Sequence, residues 1–273
     1  DYYKTAQFRI LGSAVRLLQE NGYNIQIYHL NDSHGAFSIL DLMNQGLSPE
    51  QIRQMVRFTT HTPVAAAFYH FNFGKVKDAL PNEAHQLQDF VNGYGNFELA
   101  KFIVKYSGAV SAVSHKHGLV SSGMDEFKGF HVIPITNGVH LPSWTHPAKL
   151  KVYQDSIGDV LENPQLLGDS SSLDYGAFRQ AHEIAQKELF DLIKDKTGVQ
   201  FDQGALTIGF VRRFAGYKRG DLIFNSNPEQ LARVLKGNGQ IIFAGKAHSN
   251  DYIGKEILQS TYQNCQILKD RYG

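Results

Sequence analysis

A single cysteine, Cys265, among 273 residues excludes an intramolecular disulfide and points to a reducing compartment. Charge of either sign is in no surplus: 27 Lys and Arg stand against 26 Asp and Glu, leaving a net charge of +1. Such a balance writes in no general attraction to nucleic acid or to an acidic membrane, so any anion site has to be local. No apolar run approaches the ~20 residues that a membrane-spanning helix needs. No basic-then-apolar leader opens the chain. The Gly-rich spacing of a phosphate-cradling loop is absent, and so are internal repeats and low-complexity segments. The chain starts at Asp1 rather than Met and stops at Arg271-Tyr272-Gly273, with no closing helix or strand legible there. Both ends read as cut.

What is present is an ordinary soluble composition, 42% hydrophobic and 19% charged, on a chain long enough for two domains with separate cores. A short apolar run followed by small and polar residues, then by a helical pattern, recurs along it. Ile25 to Leu30 leads into Asn31-Asp32-Ser33-His34-Gly35, and Ala36 to Met43 follows as a helix. Phe58-Thr59-Thr60 leads into His61-Thr62-Pro63, with Pro63 suited to the first helical position. Gly108 to Val113, His131 to Ile135, Ala205 to Val211 and Gln240 to Ala244 are runs of the same kind. This alternation predicts parallel strands with crossover helices, the doubly wound α/β class. Ligands of such sheets sit beyond the carboxyl ends of the strands. The His, Asn, Arg and Lys residues capable of chemistry fall repeatedly on those ends.

A domain boundary is expected just after Asn137-Gly138, dividing the chain into 1–138 and 139–273. Val139 to Pro147, with Pro142, Trp144 and Pro147, reads as an irregular crossing. From about Lys149 to Gln203 the pattern is mostly helical, notably over Phe178 to Lys194, with a loop at Gly168 to Ser172. A second strand–helix series begins near Ala205.

Thr207 to Arg219 is the most informative stretch. A buried strand is expected there to deliver Arg212 and Arg213 at its carboxyl end, and Lys218 follows on the next turn or the first helical turn. Arg213 with its planar fork and Lys218 as a point charge can converge on one tetrahedral anion. A helix amino terminus behind them would add N–H groups and dipole. On charge alone a solvated basic helix start reads equally well. The strand-end placement, and Gly245-Lys246 closing the next strand, favour the anion site.

Asn31, Asp32 and His34 follow one strand, His61 and Thr62 a second, and Asn137 a third. These are the donors and acceptors that sugar hydroxyls require, drawn from rigid strand ends. His61 alone reads equally as a satisfied core histidine, and the adjoining Thr62-Pro63 helix start favours the functional strand end. A metal site built from His115, His117, Asp32, His34 and His61 matches no zinc spacing, and His115 and His117 point apart if extended. No metal is expected. The aromatic cluster Phe68, Tyr69, Phe71 and Phe73 reads as core packing rather than as an oligosaccharide platform.

Five motifs in order carry a resemblance: His29 to Phe37 (HLNDSHGAF), Thr59 to Val64 (TTHTPV), Ile135 to His140 (ITNGVH), Arg212 to Arg219 (RRFAGYKR) and Ala244 to His248 (AGKAH). Together they resemble the α-glucan (glycogen, starch, maltodextrin) phosphorylases, most of all the short microbial form, over nearly the whole chain. The resemblance implies a fold of two doubly wound parallel-sheet domains facing across a cleft, the GT-B arrangement, here truncated at both ends. Residues 1–138 would be the last part of the glucan-side domain, and 139–273 the first part of the phosphate- and cofactor-side domain. It also implies phosphorolysis of an α-1,4-glucan or maltooligosaccharide by orthophosphate, releasing glucose 1-phosphate with retention, and a cytoplasmic enzyme. Pyridoxal phosphate would act through its 5′-phosphate. On this reading Arg213 and Lys218 hold the substrate phosphate, and Arg212 and Lys246 face the cofactor side. His61 positions the glucosyl unit, Asn137 meets its 6-hydroxyl, and Asn31, Asp32, His34 and Thr62 line the pocket. Since the phosphate itself delivers the proton to the departing oxygen, the missing carboxylate pair of a hydrolase fits.

The sequence departs from the family in two respects. The lysine that carries the cofactor lies in a Gly-rich segment that this chain does not contain, and the family's early Gly-rich turn is missing before Asp1. The chain alone is therefore expected to bind no cofactor covalently and to have little activity. A nucleotide-sugar glycosyltransferase such as a glycogen or starch synthase is the alternative of the same architecture. A non-catalytic carbohydrate-binding fragment is the alternative of another class. Oligomeric state stays open, a homo-oligomer included.

Overall fold

The computed structural model describes residues 1–64, 67–224, 228–235 and 238–272. The chain divides into two compact units, Asp1–Val139 and His140–Gly273.

Unit 1 runs α1 (Tyr2–Glu20), β1 (Tyr28–Asn31), α2 (Ser38–Asn44), α3 (Pro49–Met55), β2 (Val56–Thr60), β3 (His70–Asn72), α4 (Phe73–Ala79), β4 (Asn96–Glu98), α5 (Leu99–Tyr106), β5 (Ala109–Ala112), α6 (His115–Ser122) and β6 (Val132–Pro134). Local chemistry starts several of these. Before α3, the Gln51 N–H donates to Ser48 Oγ while the Ser48 N–H donates to Gln51 Oε1, with Pro49 at the first helical position. The four long-range strands form one parallel sheet in the order β1-β2-β5-β6. Its register sets Leu30, Phe58, Val110 and Val132 in one row across all four strands, and all four are buried. The neighbouring row, Asn31, Thr59, Ser111 and Ile133, is less buried and polar at its centre, where Thr59 Oγ1 lies 2.8 Å from Ser111 Oγ and 2.7 Å from His29 Nε2.

Phenylalanine dominates the core: Phe37, Phe58, Phe71, Phe97, Phe102 and Phe127 have almost no exposure. Within it, Arg9 of α1 makes a forked pair with Asp41 of α2 (2.7 and 3.1 Å) and reaches Glu83 (3.0 Å). Asp41 is 8% exposed, so this pairing satisfies a carboxylate that water scarcely reaches.

Unit 2 runs α7 (Leu141–Trp144), α8 (Pro147–Ser156), α9 (Tyr175–Thr197), β7 (Leu206–Val211), α10 (Pro228–Leu235), β8 (Gly239–Ala244) and α11 (Tyr252–Tyr272). The Ala177 N–H donates to Asp174 at the start of α9, and Gly198, at φ 73°, ends it in the left-handed conformation. β7 and β8 pair in parallel from Leu206↔Gly239 to Val211↔Ala244.

Each of the six apolar runs carries a parallel strand, although β1 begins later than expected, at Tyr28. The class is mixed α/β with parallel sheets. Four expectations need correction. β7, expected as a buried strand, has no buried residue. The helix expected from Pro63 falls on residues 65 and 66, which lie outside the described residues; before them the Val64 N–H bonds to Thr62 O. Phe68, Phe71 and Phe73 are core as expected, but Phe71 sits in an antiparallel hairpin, β3 with β4, that was not foreseen. Val139 to Pro147 is not wholly irregular, since α7 forms within it and Pro147 opens α8. The last residues are helical, because α11 continues to Tyr272.

Candidate functional site

In unit 1 the parallel order brings the carboxyl ends of β1, β2, β5 and β6 to one edge of the sheet. Asn31 and His61 end adjacent strands, and His61 Nε2 is hydrogen-bonded to Asn31 Oδ1. Both residues are exposed. Asp32 follows in a conformation rare for any residue but glycine (φ 65°, ψ −168°). Two bonds hold it there: its N–H donates to Thr59 O (2.9 Å), and its Oδ1 accepts the Ser33 N–H (2.8 Å). His34 is exposed, and its ring contacts are aromatic, Phe8 at 5.1 Å and Tyr69 at 6.3 Å between centroids. Thr62 is half-buried beside His61. Asn137, beyond β6, is exposed, and its N–H donates to Val113 O (3.1 Å). The edge thus presents amides, a carboxylate, a hydroxyl and two imidazoles, a donor and acceptor set suited to a polyhydroxylated ligand.

One residue of this edge was misjudged. His117 does not lie in an extended segment with His115; both belong to α6, where His115 is exposed and His117 buried. Its Nδ1 accepts the Val113 N–H (3.2 Å), and its Nε2 is buried without a partner among the described residues. Burial first, and the charge of nearby His61 second, hold its imidazolium below the usual 6.5. The signal available in sequence was Ser114, an N-cap residue placed so that His117 falls in the first turn of a helix directly after a strand. Among the described residues no group of three or more His, Cys, Asp or Glu is arranged to hold a metal.

In unit 2, Arg212 and Arg213 follow β7 and Lys246 follows β8; all three are exposed. Backbone bonds tie the two loops together: Arg212 N–H to Ala244 O and Phe214 N–H to Lys246 O, each 3.0 Å. Gly245 (φ 154°) makes this possible, since a Cβ at that position would lie 1.9 Å from Arg212 O. Phe214, buried against Phe210, anchors the loop. The helix expected behind Lys218 is only a 3₁₀ turn, Gly216–Lys218, closed by Arg219 in the left-handed conformation at φ 53°. Lys218 is half-buried, its Nζ 4.9 Å from the centroid of Tyr217. None of Arg212, Arg213, Lys218 and Lys246 has a carboxylate partner among the described residues. Exposed cations on neighbouring strand-end loops, with no carboxylate partner among the described residues, are chemically suited to an anion.

For pyridoxal phosphate the fit is partial. Arg212 and Lys246 suit its phosphate group. No described lysine is buried, as a lysine enclosing the aldehyde in a closed pocket would be, so nothing here fits its covalent attachment.

No family model matches the chain. Several characterised proteins do. It is similar to the maltodextrin phosphorylase of Thermococcus litoralis, at 33% identity over 93% of this chain and 35% of that protein. It is similar to the glycogen phosphorylase of Aquifex aeolicus, at 32% identity over 93% of this chain and 43% of that protein. It is also similar to the glycogen phosphorylase of Mycobacterium tuberculosis, at 26% identity over 86% of this chain and 33% of that protein. The chain therefore spans well under half the length of each of these three relatives. Over nearly all of its own length, the chain is homologous to a stretch of the maltodextrin and glycogen phosphorylases.

Proposed function

We propose that the protein acts in the phosphorolysis of α-1,4-glucans, transferring a terminal glucosyl unit to orthophosphate with retention of configuration. The observation that carries this reading is the cationic rim at the ends of β7 and β8, without carboxylate partners among the described residues, on a chain homologous to named phosphorylases. Arg213 and Lys218 hold the orthophosphate dianion. As the glycosidic bond breaks, positive charge grows on the sugar, and the fixed dianion stabilises it. A proton of the phosphate passes to the departing glucan oxygen, and a phosphate oxygen then bonds to the anomeric carbon. No residue of the chain has to act as a general acid.

Recognition of the glucosyl unit falls to the strand ends of unit 1. The Asn31 contact fixes the His61 ring, Asn137 meets the 6-hydroxyl, and Asp32, His34 and Thr62 supply further polar contacts. Arg212 and Lys246 would hold the cofactor's phosphate, and pyridoxal phosphate would supply a second phosphate group to the reaction. The fold that this reading implies is the phosphorylase architecture of two doubly wound domains. A cytoplasmic setting suits the one thiol, Cys265.

Competition binding tests the ligand class. Orthophosphate and glucose 1-phosphate are expected to displace each other from the rim, and to lose affinity in Arg213→Ala. Saturation by a nucleoside diphosphate, with no response to orthophosphate, would instead assign the protein to the nucleotide-sugar transferases.

A further inference from the structure

Histidine is a poor choice for filling space. A phenylalanine or leucine would seal the start of α6 without bringing two ring nitrogens out of water. At 6% exposure, one nitrogen of His117 is used and the other is not. The used one is informative. Nδ1 accepts the Val113 N–H, so it carries no proton, and the neutral ring holds its proton on Nε2.

Val113 is itself a junction. It follows β5, its N–H is held by His117, and its carbonyl accepts the Asn137 N–H at 3.1 Å. The bracket closes locally as well, because the His117 N–H donates to Ser114 Oγ (3.2 Å) and the Gly118 N–H to Ser114 O (3.0 Å). One ring nitrogen thus anchors Val113, the residue whose carbonyl holds Asn137. His61, bonded to Asn31, lies close enough for its charge to act on the same ring.

We infer that His117 is a positioning residue of the unit 1 edge, holding Val113 and through it Asn137 in place for a glucosyl ligand. The choice of ligand rests on the phosphorolytic reading; the positioning of Asn137 does not. The unused Nε2–H is a buried donor without an acceptor among the described residues, a state that water or a ligand oxygen ordinarily relieves. Its retention marks the Nδ1 bond, rather than packing, as the reason for a histidine at this position.

Two variants separate these roles. In His117→Asn the amide oxygen can take the place of Nδ1 and accept the Val113 N–H. His117→Leu fills the space and accepts nothing. In the intact protein, His117→Leu is expected to speed amide exchange at Asn137 by about tenfold and to raise the Kd for maltopentaose by a similar factor. His117→Asn is expected to stay within about threefold of the parent in both. Equal behaviour of the two variants, or a leucine variant like the parent, overturns the inference. Should the leucine variant fail to fold, nitrogen-15 spectra of the parent decide at pH 7.5: a proton on Nε2 agrees with the inference, and a proton on Nδ1 overturns it. If the parent binds no maltopentaose while the exchange pattern holds, the functional reading falls and the role of His117 stands.

Discussion

The two units differ in how much core they carry among the described residues. In unit 1 the buried apolar residues form one cluster from Phe8 to Val132, and the sheet contributes the buried row Leu30, Phe58, Val110 and Val132 to it. In unit 2 the buried hydrophobic residues are Val160, Ala181, Phe190, Phe214 and Phe224 among those described, and no residue of β7 or β8 is buried. Ile184, Leu189 and Leu192 of α9 are exposed. The polar groups differ in the same sense. The unit 1 edge is internally bonded, with His61 on Asn31, Asp32 on Ser33 and His117 on Val113. The unit 2 rim carries cations with no carboxylate partner among the described residues. Sugar hydroxyls are told apart by direction, which demands groups fixed by packing and hydrogen bonds. A dianion is recognised first by charge, which demands only that cations be gathered and left unpaired.

The contrast can be broken most forcefully in unit 1. Arg9→Ala leaves Asp41 in the core without its forked partner, and unfolding of unit 1 is expected to ease by about 3–5 kcal/mol. A denaturant midpoint followed at a unit 1 probe measures this. By contrast, Lys187→Ala, which removes the exposed pair with Asp191 on α9, is expected to leave the unit 2 midpoint unchanged. Equal responses would mean that the two units do not differ in the way their charges are held.

A middle-sized effect is expected from Gly245→Ala. The added methyl group collides with the Arg212 carbonyl and forces the Arg212–Phe214 loop away from β8. No charge is lost, yet affinity for orthophosphate should fall by about tenfold, which titration calorimetry measures. Undiminished affinity would show that the backbone ties between the two loops do not set the rim.

The smallest effect concerns pH. The folded state lowers the pKa of His117 below 6.5, so in the window just below 6.5 the unfolded chain binds more protons than the folded one. The stability contributed by the neutral ring is full above 6.5. It declines as pH falls through that window and is gone below the lowered folded pKa. His117→Asn should remove this part of the pH dependence, as read from urea midpoints between pH 5 and 8.

The elements legible in sequence were those with a long enough signal. Six apolar runs ended by small and polar residues gave six parallel strands; those of unit 1 each bury residues as a core strand does, whereas β7 and β8 bury none. The β3–β4 hairpin has three residues in each strand, and its place depends on burial of Phe71 and Phe97 against the rest of unit 1, so no local pattern announced it. The contact of Asn31 with His61 depends on β1 lying beside β2, which strand order alone decides. The segment around Lys218 carried helix-start residues, but Arg219 in the left-handed conformation ends its 3₁₀ turn; the helix expected from Pro63 falls on residues 65 and 66, outside the described residues. His117 was weighed only as a metal ligand, since its bond to a backbone N–H four residues earlier requires the strand-to-helix turn to be known.

The most direct measurement is release of glucose 1-phosphate from maltooligosaccharide by the intact protein, with and without orthophosphate, in the parent and in Arg213→Ala and Lys218→Ala. Release should require orthophosphate, and each substitution should lower kcat/KM by about 10²–10³-fold. Release without orthophosphate, or rates unchanged in both variants, would contradict the assignment of the unit 2 rim as the phosphate site.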